Sequence, residues 1–268
     1  MNNKLGFIGV GNMGGALATA ACKGDASKVI ITDLCEARRN QLGAELGCNI
    51  GATIEDVASD AKFIFLGVKP HQIVGLLNGL SPVLKAREDR YILVSMAAGV
   101  SIEKILKAAD VDAPVLRMIP NTPVTVGEGI VPFCNKDMTD EEIEEFRTLM
   151  AGAGKFHLVP ETLMDAASAL TGCGPAFVYL FIEALADGAV AAGLPRPQAQ
   201  EFAARTVRGA ATMVLETGRH PGDLKDAVCS PGGSTIAGVK AMEQRAFRAA
   251  SMEAVLAGYE KTIDLGRV

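Results

Sequence analysis

The stretch Gly9-Val10-Gly11-Asn12-Met13-Gly14 constrains the fold of this chain more than any other. It follows an apolar run at 5–8 and opens into a small-residue segment at 15–22. A strand, a glycine turn and a helix in that order build a dinucleotide cradle. The first glycine permits the tight turn, the second lets the backbone approach a pyrophosphate, and the third lets helix and strand pack closely. The helix start adds free N–H groups and the positive end of its dipole. Glycine turns also arise for purely structural reasons, so the flanking strand and helix are what give this one its meaning.

Up to about residue 159 the chain alternates short β-rich runs with helical segments. Strands are expected at 4–8, 29–32, 63–66, 91–95, 115–118, 129–133 and 156–159, and helices near 12–23, 36–46, 72–84, 102–109 and 140–153. Ser101 and Thr139, each ahead of acidic residues, read as helix starts. Such alternation specifies a parallel, doubly wound sheet, whose ligands bind beyond the carboxyl ends of the strands. That edge collects the glycine loop, Asp33, Val68-Lys69-Pro70, Ala97-Ala98-Gly99 and Pro120-Asn121-Thr122-Pro123.

Several of these residues carry two readings. Asp33 stands 19 residues beyond Gly14, where a carboxylate can accept the adenosine ribose 2′-OH and repel a 2′-phosphate. It could equally cap the helix expected from Glu36. Arg38 and Arg39 could receive a phosphate or form a solvated helix face, so NADH and NADPH both stay open. Lys69, held extended by Pro70, could meet cofactor or substrate, or be an ordinary surface lysine. His71 could be a proton donor or a helix-start residue, and His157 reads as structural. In the loop at 120–123 two prolines fix the shape while Asn121 and Thr122 offer hydrogen bonds, as a cofactor-amide site needs and as a plain turn also provides.

Composition narrows the class. At 268 residues two domains are expected, and 49% hydrophobic residues suffice for real cores. Lys and Arg number 26 against 31 Asp and Glu, a net charge of −5 that offers no basic field to nucleic acid or an anionic membrane. Six scattered cysteines without C-x-x-C or neighbouring histidines argue against zinc and against a disulfide framework, and suit a reducing cytoplasm. The N-terminus enters a strand at once, which reads as no signal peptide. The apolar stretch at 175–194 contains Glu183 and Asp187, so it is expected as a helix buried at a subunit or domain core, not as a membrane span.

After residue 159 strand signals stop. Helices are expected near 162–169, 176–192, 196–216, 234–244 and 248–265, with Gly193 and Gly218 as C-caps and Pro195 and Pro221 restarting the chain. Their small residues and scarce polar surface predict burial against another subunit. Within this half, residues 229–236 read CSPGGSTI. Paired glycines Gly232 and Gly233 feeding a helix start make a small anion site, to which Ser230, Ser234 and Thr235 add hydroxyls. An ordinary N-cap after a glycine-rich turn has the same look.

The SPGGST loop, with Lys225-Asp226 before it and Phe247-Arg248 after it, resembles the signature of the pyrroline-5-carboxylate reductase family. So do GFIGVGNMG at 6–14, VKP at 68–70, SMAAGV at 95–100, PNTP at 120–123, TGCGPAFVYLFIEALADGAV at 171–190 and ETGRHPGDLKDAVCSPGG at 216–233. The resemblance spans the whole chain in order. It implies an α/β protein with an N-terminal Rossmann-like doubly wound sheet at 1–160 and an all-α C-terminal dimerisation domain at 161–268. The implied reaction is NAD(P)H-dependent reduction of 1-pyrroline-5-carboxylate, a cyclic imine carboxylate, to proline by hydride transfer. It further implies a homodimer through the C-terminal helices, and in some members a ring of dimers. Gly9, Gly11, Asn12, Met13 and Gly14 would hold the pyrophosphate, and Val68, Lys69, Pro70, Ala97 and Asn121 would line the cofactor out to the nicotinamide. Ser230, Gly232, Gly233, Ser234 and Thr235 would form the substrate loop, with Thr235 near the substrate nitrogen. Two positions depart from the family pattern: Cys173 replaces a serine in the loop expected before the long helix, and Ser234 stands where Thr or Ala is usual. A β-hydroxyacid dehydrogenase would need a catalytic lysine in the first long C-terminal helix, and no Lys occurs between Lys155 and Lys225. The remaining rivals are a non-catalytic NAD(P)-binding regulator and a reductase of a related cyclic imine.

Overall fold

The computed structural model describes residues 3–266. The first half is built on β1 (Asn3–Ile8), β2 (Val29–Thr32), β3 (Asn49–Ile50), β4 (Ala61–Leu66), β5 (Ile92–Ser95), β6 (Val115–Met118), β7 (Gly129–Lys136) and β8 (Gly154–Leu158). They form one sheet in the order β3-β2-β1-β4-β5-β6-β7-β8. The six strands from β3 to β6 run parallel. β7 is antiparallel to β6, and β8 follows β7 in parallel, so the expected all-parallel sheet has a reversed edge. A short 3-10 turn at Thr122–Val126 and Gly127, at φ +79°, send the chain straight back, leaving no room for the helical crossover that a parallel β7 needs.

Successive side chains of a strand point to opposite faces, and the two faces of this sheet have separate cores. Phe7, Phe63, Phe65, Ile92 and Val94 face α1 (Asn12–Asp25), α2 (Glu36–Leu46) and α6 (Asp140–Leu149). Phe146 of α6 sits at the centre of this core, with Phe63 at 5.5 Å and Phe156 edge-on at 5.3 Å. Ile8, Ile64, Leu66 and Leu93 face α3 (Ile54–Asp60), α4 (Ile73–Lys85) and α5 (Ile102–Ala109). The helix starts expected at Ser101 and Thr139 are present. Ser101 Oγ accepts from Lys104 N, and Thr139 and Glu142 form a reciprocal capping box. Strand β3 and helix α3 were missing from the sequence reading. β3 is two residues long, below the length at which alternation is visible.

The second half contains α7 (Met164–Ala191), α8 (Arg196–Thr217), α9 (Pro221–Ala227), α10 (Ser234–Gln244) and α11 (Phe247–Gly266). Gly218 is the expected left-handed C-cap of α8, at φ +63°. The chain divides into two compact units: one runs from the N-terminus to Cys173 and resumes at Gly258, and the other is Gly174–Ala257. Inside the second unit α7 and α8 meet through small residues, Ala186, Ala199 and Ala203. Most of its apolar side chains are uncovered, among them Leu215 at 81% and Leu180 at 67% exposure. By length and composition α7 could cross a membrane, yet it carries Glu183 and Asp187, which are costly in hydrocarbon. Apolar surface of this extent marks an interaction site.

The two helices expected at 162–169 and 176–192 are one. α7 runs through Pro175, so Cys173 lies inside a helix and not in a loop. Proline lacks the N–H that would bond the carbonyl four residues back. That carbonyl, Thr171 O, accepts instead from Asn121 Nδ2 at 3.0 Å. A side chain from the end of β6 therefore repairs the ladder at the point where the proline interrupts it. The start of α7 is also tied to β6: the buried Arg117 pairs with Glu161 at 3.2 Å and Asp165 at 3.1 Å.

Candidate active site

The parallel strands put their carboxyl ends on one edge, and the chain leaves β1 in one direction towards β2 and later in the other from β4 to β6. The reversal between β1 and β4 is the switch point at which doubly wound sheets bind ligands. The glycine loop lies there. Gly9 adopts φ +91°, and a Cβ on it would come within 2.6 Å of Gly67 O. A Cβ on Gly14 would run into Gly9 O, and so would one on Gly67. Gly67, just after β4, was not singled out from sequence. Its signal was only a glycine beside Val68-Lys69-Pro70, but its N–H donates to Ile8 O at 2.7 Å and it closes the underside of the loop.

Gly11 is different. A Cβ there meets nothing within 4 Å. Gly11 is the N-cap of α1, and no side chain caps that helix start. Open space above a glycine, facing uncapped N–H groups at a helix N-terminus, is what an approaching pyrophosphate requires. The residues present therefore fit a dinucleotide. Gly11 and Asn12 are exposed, whereas the Met13 side chain packs against the core and leaves only its backbone for the loop.

The other expected cofactor residues gather at the same edge. Asp33 follows β2, and its carboxylate accepts from Val10 N at 2.8 Å and Cys35 N at 2.9 Å. It braces the glycine loop and orders the turn into α2, a role not foreseen for it, and it is not the cap of that helix, whose N-cap is Cys35 without a side-chain cap. Arg38 Nε donates to Val10 O at 3.2 Å, and Arg39 Nη1 to Ala52 O at 2.7 Å. Lys69 is exposed at the exit of β4, and its backbone N–H donates to Gln72 Oε1 at 3.1 Å. Val68 packs against the second core, and Pro70 starts a 3-10 turn. Ala97 is buried beyond β5, its N–H held by Ser95 Oγ at 3.3 Å. Asn121 is buried too. Its oxygen accepts from Ile130 N at 3.2 Å while its nitrogen serves Thr171, so its side chain fixes the loop from within.

The second candidate site lies in the helical unit. Gly232 takes φ +70°, and Gly233 is the N-cap of α10 with no side-chain cap. A Cβ on Gly233 would strike Ser230 Oγ, which folds over it, and Gly233 N donates to Ser230 O at 3.0 Å. Gly232 is required for its dihedral, whereas a side chain at Gly233 would displace the Ser230 hydroxyl. Ser230, Ser234 and Thr235 are exposed, and the first N–H groups of α10 have no side-chain partner. Helix α9, absent from the sequence reading, leads into this loop. It is capped by His220 Nδ1, which accepts from Gly222 N at 3.0 Å. Its Lys225 pairs with Asp226 at 2.6 Å, and that carboxylate raises the lysine's pKa.

A cavity of about 990 Å3 lies between α5 and the ends of β7 and β8, lined by Ile102, Leu106, Lys107, Cys134, Leu158 and Glu161. β7 runs backwards, so its end at Lys136 lies beside Val115, the first residue of β6, while the end of β8 at Leu158 is level with Met118. Burial pushes the Cys134 thiol there up to about 11, so it stays protonated and is no nucleophile.

A doubly wound sheet with an uncapped, glycine-lined helix start at its switch point defines a Rossmann-type dinucleotide-binding protein. Two family models divide the sequence accordingly: "NADP oxidoreductase coenzyme F420-dependent" matches residues 4–99, and "Pyrroline-5-carboxylate reductase dimerisation" matches 161–265. The pyrroline-5-carboxylate reductase of Methanosarcina acetivorans is 38% identical, with 99% of each chain covered. That of Escherichia coli is 37% identical over the full length of both. A crystal structure of Plasmodium falciparum pyrroline carboxylate reductase with NADP bound superposes with a TM-score of 0.87 at 32% identity, covering 99% of this chain and 98% of that one. The chain belongs to the pyrroline-5-carboxylate reductase family, a family of oxidoreductases.

Proposed function

We propose that this protein reduces 1-pyrroline-5-carboxylate to proline with NADH or NADPH. The observation that carries the reading is the uncapped start of α10 at Gly233, suited to an anion such as a carboxylate, in a chain whose other glycine loop is shaped for a dinucleotide. Full-length relatives bearing that activity's name support it.

The division of labour follows the sequence halves, 1–160 for the cofactor and 161–268 for substrate and assembly. Gly11, Asn12, Met13 and Gly14 hold the pyrophosphate through backbone N–H groups, and Gly9, whose own N–H donates to Thr32 O at 2.9 Å, shapes the turn beneath it. Asp33 takes the ribose, and Val68, Lys69, Pro70, Ala97 and Asn121 shape the path to the nicotinamide. When bound, the reduced nicotinamide supplies the hydride. The Gly232 N–H and the first N–H groups of α10, with the Ser230 and Ser234 hydroxyls, hold the substrate carboxylate, and Gly233 shapes the loop, its own N–H committed to Ser230 O at 3.0 Å. The Thr235 hydroxyl steadies the ring nitrogen. In the substrate a C–H bond forms at the imine carbon, and the C=N π pair moves onto the nitrogen, which is protonated before transfer. No side chain has to be an acid or base in that step. The protein's contribution is orientation, which is a large one.

The direct test follows nicotinamide absorbance with pyrroline-5-carboxylate, once with NADH and once with NADPH. Silence with both sinks the assignment. Thr235→Ala should lower kcat about 10- to 100-fold, the cost of one hydrogen bond to a charged group, with an unchanged unfolding transition because Thr235 is exposed. Wild-type kinetics in that variant would remove Thr235 from the mechanism.

The exposed apolar helices fit pairing of two chains through the C-terminal helices; a ring of dimers is the larger assembly proposed, and the free cysteines fit the cytoplasm as the compartment. Light scattering should give at least twice the 27.9 kDa chain mass; a monomer at working concentration refutes the pairing.

A further inference from the structure

Asp33 is held at the mouth of the glycine loop from two sides. Val10 N, the amide between the first two glycines, donates to Oδ2 at 2.8 Å, and Cys35 N donates to Oδ1 at 2.9 Å. A carboxylate has about four lone-pair sites, so two remain for a ligand, and the residue is half-exposed. The ribose next to a pyrophosphate seated over Gly11 arrives at this position. A 2′-phosphate arriving there needs a cation, and each of the two arginines nearby has one guanidinium nitrogen drawn to a backbone carbonyl. Arg38 Nε holds Val10 O at 3.2 Å, bracing the loop. Arg39 Nη1 holds Ala52 O at 2.7 Å, its other nitrogen lies 3.8 Å from Glu36, and its side chain is only 15% exposed. The residue after Asp33 is Leu34, 96% exposed, which offers an apolar flank and no donor.

We propose that Asp33 makes this site selective for NADH: its fixed carboxylate accepts the ribose 2′-OH and repels a 2′-phosphate, while Arg38 and Arg39 each brace a backbone carbonyl. The assignment rests on the reading of the chain as a nicotinamide-dependent reductase. It extends that reading to a choice the family resemblance leaves open.

Equilibrium titration tests it without turnover. The chain has no tryptophan, so reduced-nicotinamide fluorescence can be followed without indole emission from the protein. Two like charges a few ångströms apart in a partly solvated site predict NADH binding about 100-fold tighter than NADPH. Asp33→Asn keeps the size and an acceptor for Val10 N and removes the charge; it should shrink that ratio at least about 10-fold. Asp33→Ser serves the same purpose should the Asn variant fold poorly, and the wild-type ratio stands independently of both. Wild-type protein that binds NADPH as tightly as NADH overturns the proposal. So does an unchanged ratio in a folded Asp33 variant, or a selective loss of NADPH binding in Arg38→Gln, which would make Arg38 the phosphate receptor. Selective NADH binding without oxidation by pyrroline-5-carboxylate would leave Asp33 its role and sink only the reductase reading.

Discussion

Gly14→Ala is expected to weaken binding of both NADH and NADPH at least about 100-fold and to cost about 1–3 kcal/mol of stability, the usual penalty for overpacking. The added Cβ would overlap Gly9 O. Gly9 cannot yield, because it sits at φ +91° with Gly67 packed against it, and Gly67 is itself hydrogen-bonded to Ile8. Every atom in this stack is backbone, so relief requires moving the loop proposed to hold the phosphates. Gly11→Ala is the matched control. Its Cβ enters open space, so the unfolding midpoint should match wild type while dinucleotide affinity still falls, since the methyl occupies the phosphate's approach. Denaturant unfolding and fluorescence titration on the pair separate the two effects. Wild-type affinity in Gly14→Ala would show that the loop is not the cofactor site.

Asn121→Ala should destabilise the protein by roughly 2–4 kcal/mol, since it strands two groups, each worth about 1–3 kcal/mol when left unpaired in the interior. One is Ile130 N at the start of β7, and the other is Thr171 O in α7. The second loss has a built-in rescue. Pro175→Ala restores the N–H that Thr171 O lacks, so the double variant should recover about 1 kcal/mol relative to additivity. In wild-type background the same Pro175→Ala change should gain little, because Asn121 already serves that carbonyl. A double-mutant cycle by urea unfolding checks this. Strict additivity would mean that Asn121 and Pro175 are unrelated. Turnover should fall as well, because the same carboxamide shapes the loop proposed to meet the nicotinamide.

What could be read in advance follows from how far apart the cause and the effect lie along the chain. The glycine loop, the caps at Ser101 and Thr139 and the left-handed Gly218 each arise within a few residues, and the structure has them where the sequence puts them. The change from strand-bearing to helical pattern near residue 160 is equally local. The failures are non-local. Pro175 reads as a helix break in any window, and only Asn121, 50 residues from Thr171, makes the helix continuous. Gly67 looks like a loop glycine until β4 is set beside β1 and its missing Cβ becomes the space that Gly9 fills.

The sequence by itself determined a glycine loop in a doubly wound sheet, an uncapped glycine-fed helix start in a helical second half, and the family to which both belong. Those properties reside in residue types at short spacings, where glycine dihedrals and helix starts act on their immediate neighbours. The tertiary structure decided the rest: the reversal of β7, the single helix through Pro175, and the partners of Asp33 and its neighbouring arginines. Asp33 and Val10 are 23 residues apart. Whether a carboxylate faces a ribose or merely caps a helix depends on which backbone N–H groups the packed sheet brings to it, and no local pattern encodes that.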